Sequence, residues 1–122
     1  MKKADILVCD DEAGVRESLG LILGKEYPLA YATNGEEAIN YIKTNDPKLV
    51  ILDVKMPKMG GLEALRQIKR IKPKIRVLMA TGYESSDVAA QAVHLGADDY
   101  LVKPFDREQV HAKVHSFLHH SE

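Results

Sequence analysis

A chain of 122 residues, 45% hydrophobic and 29% charged, has the size and balance of one globular domain that buries its own core without disulfides or a structural metal. A net charge of −1 gives no reason to propose direct nucleic-acid binding, and the longest apolar run is far too short to span a membrane. Met1-Lys2-Lys3 leads straight into strand-like sequence without a secretory signal pattern, so the expectation is a cytoplasmic, single-domain unit over residues 1–122.

Asp5 to Cys9 reads as a buried strand ending in Asp10-Asp11, and the lone Cys9 as a small buried filler. Val15, Leu19, Ile22 and Leu23 then recur at helical spacing, with Gly24 and Lys25 at the helix end. A second strand covers Leu29 to Ala32. Asn34-Gly35-Glu36-Glu37 has the spacing of a capping box that opens a helix through Tyr41 and Ile42, stopped by Asp46-Pro47. The third strand, Leu49 to Leu52, is a continuous apolar run that delivers Asp53 to its carboxyl end, ahead of Met56-Pro57 and Gly60-Gly61. A helix from Gly61 places Leu62, Leu65 and Ile68 on one side before Pro73. The fourth strand, Ile75 to Ala80, runs into Thr81-Gly82. A helix from Ser86 offers only Val88, Ala89, Ala92 and Val93 as core anchor, so it is expected among the more mobile elements. Gly96 ends it. The fifth strand, Tyr100 to Val102, precedes Lys103-Pro104-Phe105. Asp106 with Gln109 is expected to cap a last helix carrying Val110, Val114, Phe117 and Leu118.

Strands alternating with helices predict an α/β fold: a doubly wound five-stranded parallel sheet with five helices on its two faces. With strand order 2-1-3-4-5 the reversal point lies between strands one and three, so Asp10-Asp11 and Asp53 flank one crevice.

Four strands end in polar groups: Asp10-Asp11, Asp53, Thr81 and Lys103. Strands about 4.8 Å apart put Thr81 beside Asp53, and Lys103 reaches back over about 10 Å on its long stem. Three carboxylates this close repel by up to about 4 kcal/mol per pair at an effective dielectric near 20, a large figure against a stability of about 5–15 kcal/mol. The cluster calls for a cation, and hard oxygen ligands favour Mg²⁺. On this reading Asp10→Asn or Asp11→Asn raises metal-free stability. A carboxylate ringed by a cation, a hydroxyl and an ammonium suits attack on phosphorus, which makes Asp53 the residue modified as an aspartyl phosphate.

These residues together resemble the receiver domain of two-component response regulators, over about residues 4 to 118. The markers are Asp10-Asp11, Asp53 with Met56-Pro57 and Gly60-Gly61-Leu62, Thr81-Gly82, Gly96-Ala97-Asp98-Asp99-Tyr100, and Lys103-Pro104-Phe105. The resemblance implies a flavodoxin-like fold and a signalling switch, not a turnover enzyme, in which Asp53 accepts phosphate from a sensor histidine kinase or phosphotransfer protein. It implies Mg²⁺ held by Asp11, Asp53 and the backbone carbonyl of Lys55, with Asp10 acting mainly through water. It further implies that Thr81 and Lys103 bind phosphoryl oxygens, that Tyr100 is an aromatic switch, and that Lys103-Pro104 is cis. The phosphoryl group would draw Thr81 inward and let the Tyr100 ring follow, reshaping the face of helix four, strand five and helix five. That face would serve an output domain or self-association.

Plainer readings stand beside these. Asp11 alone suits a helix cap, Thr81 a turn, Lys103 a solvated lysine and Tyr100 core packing. His111, His115, His119 and His120 suggest a metal stripe on the last helix, but the apolar positions leave them on a solvated flank. The side chains of Lys55 and Tyr83 are placed to shield an acyl phosphate from water. Two other functions share the chemistry or the fold. A phosphohydrolase needs a second acid two residues after its nucleophile, where this chain has Lys55. A flavin carrier needs a phosphate loop after strand one, where Asp10-Asp11-Glu12 would repel it.

Overall fold

The computed structural model describes residues 4–82 and 86–119; Tyr83 and His120 lie outside the described residues. The elements are β1 (Ile6–Cys9), α1 (Ala13–Leu23), β2 (Leu29–Ala32), α2 (Gly35–Thr44), β3 (Leu49–Asp53), α3 (Gly61–Ile71), β4 (Arg76–Thr81), α4 (Ser86–His94), β5 (Asp99–Val102) and α5 (Arg107–Leu118). The sheet order is β2-β1-β3-β4-β5, every neighbouring pair parallel. The α/β architecture and strand order are those expected from the sequence.

Alternation along the central strands sorts their side chains onto two cores. Leu7, Cys9, Val50 and Leu52 pack with Ile39, Ile42, Leu65 and Ile68 from α2 and α3, and with Ala92 from α4. Ile6, Val8, Leu49 and Ile51 pack with Leu19, Leu23, Val110 and Val114 from α1 and α5. Both faces of β1 and β3 are therefore covered, which is why these strands read as unbroken apolar runs. Among the described residues no helix is long and apolar enough to cross a membrane.

Local chemistry departs from expectation at a few ends. Asn34 caps α2 by accepting from the Glu37 N–H at 2.9 Å, but the Glu37 carboxylate returns to the N–H and hydroxyl of Thr33, not to Asn34. Those two bonds hold the Glu37 carboxyl below its ordinary range. Gly24 closes α1 in a right-handed conformation, its N–H bonded to the Gly20 carbonyl, whereas Gly96 takes φ +105° and turns the chain out of α4. Asp106 caps α5 by accepting from the Glu108 N–H at 3.1 Å, one residue short of the Gln109 position that the capping-box spacing singles out. In α4 Ala92 is buried, but Val93 is 70% exposed. The expected four-residue anchor thus loses Val93, because a helix with apolar residues on adjacent positions cannot bury them all.

Candidate functional site

The parallel register sets the site. Cys9 lies opposite Leu52, Asp53 opposite Ala80, and Thr81 opposite Val102. One residue past Cys9 the chain leaves β1 at Asp10, beside the end of β3. Carboxylate oxygens of Asp10, Asp11 and Asp53 lie within 4.8 Å of one another. The three expected acids are brought together.

Their environments differ. Asp10 is 2% exposed: one oxygen accepts from the Glu12 N–H at 3.0 Å and the other from Lys103 Nζ at 2.9 Å. Asp11 is exposed. Glu12 occupies the cap position of α1 without a side-chain cap hydrogen bond, so neither member of the pair holds the cap position as a plain reading of Asp11 supposes. The turn folds Asp10 back onto its own loop and leaves Asp11 facing outward.

Asp53 is 5% exposed and accepts from Lys103 Nζ at 3.1 Å. Burial raises its carboxyl above the usual range; the hydrogen bond from Lys103 pulls the other way, and the charges of Asp10 and Asp11 add to the rise. Burial also works against the charged form of Lys103, but its bonds to Asp10 and Asp53 outweigh that and raise its pKa. Lys103 leaves β5 with its N–H bonded to the Thr81 carbonyl at 2.7 Å, and the Lys103-Pro104 bond is cis. The long stem does reach back across the sheet edge.

A cavity of about 350 Å³ opens over these groups, lined by Asp11, Glu12, Asp53, Lys55, Thr81, Gly82, Lys103 and apolar neighbours. Thr81, Val54 and Val88 also line a second cavity of about 170 Å³ beneath α4, which Tyr100 borders. Thr81 therefore stands between the acidic crevice and the space beside the Tyr100 ring. Tyr100 is 39% exposed, with Lys113 Nζ 5.3 Å from its ring centroid.

Two supports escape a reading of the sequence. The Arg16 guanidinium donates to the Asp10 carbonyl at 2.8 Å, fastening the turn from α1. Gly61 donates its N–H to the Val54 carbonyl at 2.8 Å, seating α3 against the end of β3. The Gly60-Gly61 pair was the available signal for the second, and nothing short of the fold signals the first. Cys9 is buried with its thiol pushed up to about 12, chiefly by burial, and it behaves as a filler.

Three carboxylates make a hard-oxygen set that fits Mg²⁺. Removing one exposed member relieves repulsion at little cost: Asp11→Asn is expected to raise metal-free stability, and with it Tm, slightly, by no more than about 1 kcal/mol of stability given solvent screening. The same gain is not expected for Asp10→Asn, because Asp10 is a bonded partner of Lys103 and of the Glu12 N–H. Thermal unfolding without and with Mg²⁺ checks both; an unchanged Tm in Asp11→Asn would contradict the repulsion.

Comparison with known proteins places the same residues in a family. The family model of the response regulator receiver domain matches residues 6–115. The chain is 36% identical to sporulation initiation phosphotransferase F of Bacillus subtilis, covering 97% of this chain and 96% of that one. It is 37% identical to the alkaline phosphatase synthesis transcriptional regulatory protein PhoP of the same organism, covering 96% of this chain but 49% of the relative. It thus spans nearly the whole of the first relative and about half of the second. Among solved structures, the receiver domain of NtrX from Brucella abortus superposes with a TM-score of 0.89 at 31% identity, over 96% of this chain and 100% of that one. A CheY-like receiver from Methanospirillum hungatei gives 0.87 at 28% identity, over 93% and 91%. The chain belongs to the receiver domains of two-component response regulators.

Proposed function

We propose that Asp53 is the phosphoacceptor of this receiver, taking a phosphoryl group from the phosphohistidine of a sensor histidine kinase or a phosphotransfer protein. One observation carries the reading: a single buried carboxylate ends β3, shares reach with two other acids, and is bonded to the ammonium of Lys103. An oxygen of Asp53 forms the bond to phosphorus as the P–N bond to the donor imidazole breaks. The electron pair stays on the imidazole nitrogen, which then takes up a proton. The Lys103 contact opposes the rise that burial gives the Asp53 carboxyl, and so favours the nucleophilic carboxylate form.

Asp10, Asp11, Asp53 and the backbone carbonyl of Lys55 would hold Mg²⁺, with Asp10 acting mainly through water. When bound, the ion supplies positive charge against the carboxylates and the incoming phosphoryl oxygens. Lys103 exchanges its carboxylate contacts for a phosphoryl oxygen, and the Thr81 hydroxyl donates to another. Movement of Thr81 toward the crevice enlarges the space beside Tyr100, whose ring then turns inward. The surface of α4, β5 and α5 changes with it and reports to an output domain or a second copy. Signal transfer is by this two-state change, with self-phosphorylation and autodephosphorylation as the chain's own chemistry.

The test is intact mass after exposure to acetyl phosphate and Mg²⁺. The parent is expected to gain one phosphoryl group, and Asp53→Asn none. A gain retained in Asp53→Asn, or absent from the parent with Mg²⁺ present, would overturn the assignment.

A further inference from the structure

The histidines of α5 take no part in the acidic crevice, yet they are not all loose on a solvated flank. His111 Nε2 lies 3.1 Å from the Ile22 carbonyl oxygen and 3.2 Å from Glu26 Oε1. Both partners only accept, so Nε2 carries the proton. One turn further, His115 and His119 stack with ring centroids 4.2 Å apart and planes 25° apart, both exposed. His119 Nε2 lies 3.2 Å from the Tyr27 hydroxyl, on the segment that follows α1. The seam between α5 and the end of α1 therefore presents two adjacent imidazoles, one of them already steadied from outside the helix.

From this geometry we infer that His115 and His119 form a chelating site for a borderline divalent transition metal ion of the Zn²⁺ and Cu²⁺ class. Residues four apart share one helix face. Two metal–nitrogen bonds of about 2.0–2.1 Å in tetrahedral coordination need nitrogens roughly 3.3 Å apart, with the ion in the plane of each ring. The two rings, 4.2 Å apart and stacked, therefore turn out of their stack about χ2, a soft torsion in exposed side chains, to converge on one ion. Both rings are open to solvent, so water fills the remaining coordination positions. In the metal-bound form His119 would donate its Nε2–H to the Tyr27 hydroxyl, 3.2 Å away, and keep Nδ1 for the ion, the outer-shell support that ligating histidines commonly have. Imidazole pairs favour Zn²⁺ and Cu²⁺ over Mg²⁺, whereas the oxygen-only crevice favours Mg²⁺. The two sites are thus filled by different ions, and this one is independent of the phosphoacceptor.

The test is calorimetric titration of the whole chain with Zn²⁺ in excess Mg²⁺. One Zn²⁺ per chain is expected. His115→Ala and His119→Ala should each weaken binding at least about tenfold, and Tyr27→Phe, which removes no ligand, by about tenfold. Asp11→Asn, His94→Ala in α4 and His120→Ala should bind as the parent does. No Zn²⁺ uptake by the parent, parent-like binding in the His115→Ala/His119→Ala double variant, or loss in His120→Ala would overturn the site.

Discussion

Lys103→Met is expected to destabilise the metal-free protein by about 2–3 kcal/mol at pH 7, at or just below the about 3–5 kcal/mol that removing one partner from a fully buried ion pair costs. Lys103 Nζ is bonded to both Asp10 and Asp53, whose side chains are 2% and 7% exposed, so methionine leaves two buried carboxylates without their cation. The crevice is open enough for water to soften the penalty. The pH dependence has a definite sign. Asp53 already titrates above its ordinary range, and the Lys103 hydrogen bond is the first influence holding it down. Without that bond its folded-state pKa rises further above the unfolded one. A raised carboxyl pKa means stability present at low pH and lost as pH rises through the folded value. The deficit of Lys103→Met should therefore be largest at neutral pH and shrink on acidification toward pH 5. Added Mg²⁺ should recover more stability in the variant than in the parent, since the ion fits the same carboxylates. Urea unfolding of both proteins across this range reads all three effects. An equal deficit at every pH would mean that Lys103 acts by packing alone.

Gly61→Ala is expected to cost about 3 kcal/mol or more and to lower Tm by about 10 °C or more. A Cβ at this position would lie 2.0 Å from the Asp53 carbonyl oxygen, 2.8 Å from Val54 Cα and 2.9 Å from the Asp53 carbonyl carbon. All three atoms are backbone at the end of β3, which is paired on one side with β1 and on the other with β4. Such a strand end cannot yield without moving the proposed acceptor. Phosphoryl uptake should therefore fall even where the variant is fully folded. Gly14→Ala is the control, because a Cβ there meets nothing within 4 Å and sits in the first turn of α1. Thermal unfolding of the pair decides it; a Gly61→Ala protein within 1 kcal/mol of the parent would show that the α3–β3 contact gives way easily.

Much of this arrangement is legible before folding because burial leaves a mark on composition. Leu49 to Leu52 is apolar throughout since both faces of β3 are covered, and the acid that follows must then emerge at the sheet's carboxyl edge. The convergence of Asp10, Asp11, Asp53, Thr81 and Lys103 follows from strand order alone. What stays hidden depends on contacts distant in sequence or on choices between like residues. Asp10 and Asp11 are chemically identical, and only the turn determines that the first is bonded inward and the second exposed. Val93 and Ala92 are both apolar, and only the pitch of α4 against the sheet sends Val93 to solvent. His111 meets the Ile22 carbonyl from 89 residues away, which no local spacing reveals. Arg16 escapes notice for a related reason: its partner is a backbone carbonyl, and backbone carbonyls have no signature in sequence.

The most direct measurement of the central claim identifies the modified residue by its position in the chain. Borohydride reduces an acyl phosphate on an aspartate to homoserine, so protein treated with phosphodonor and Mg²⁺, then reduced and digested, carries the record in its peptides. The prediction is homoserine at position 53, with Asp10 and Asp11 recovered intact. Homoserine at position 10 or 11, or none at position 53 in protein that has gained a phosphoryl group, would contradict it.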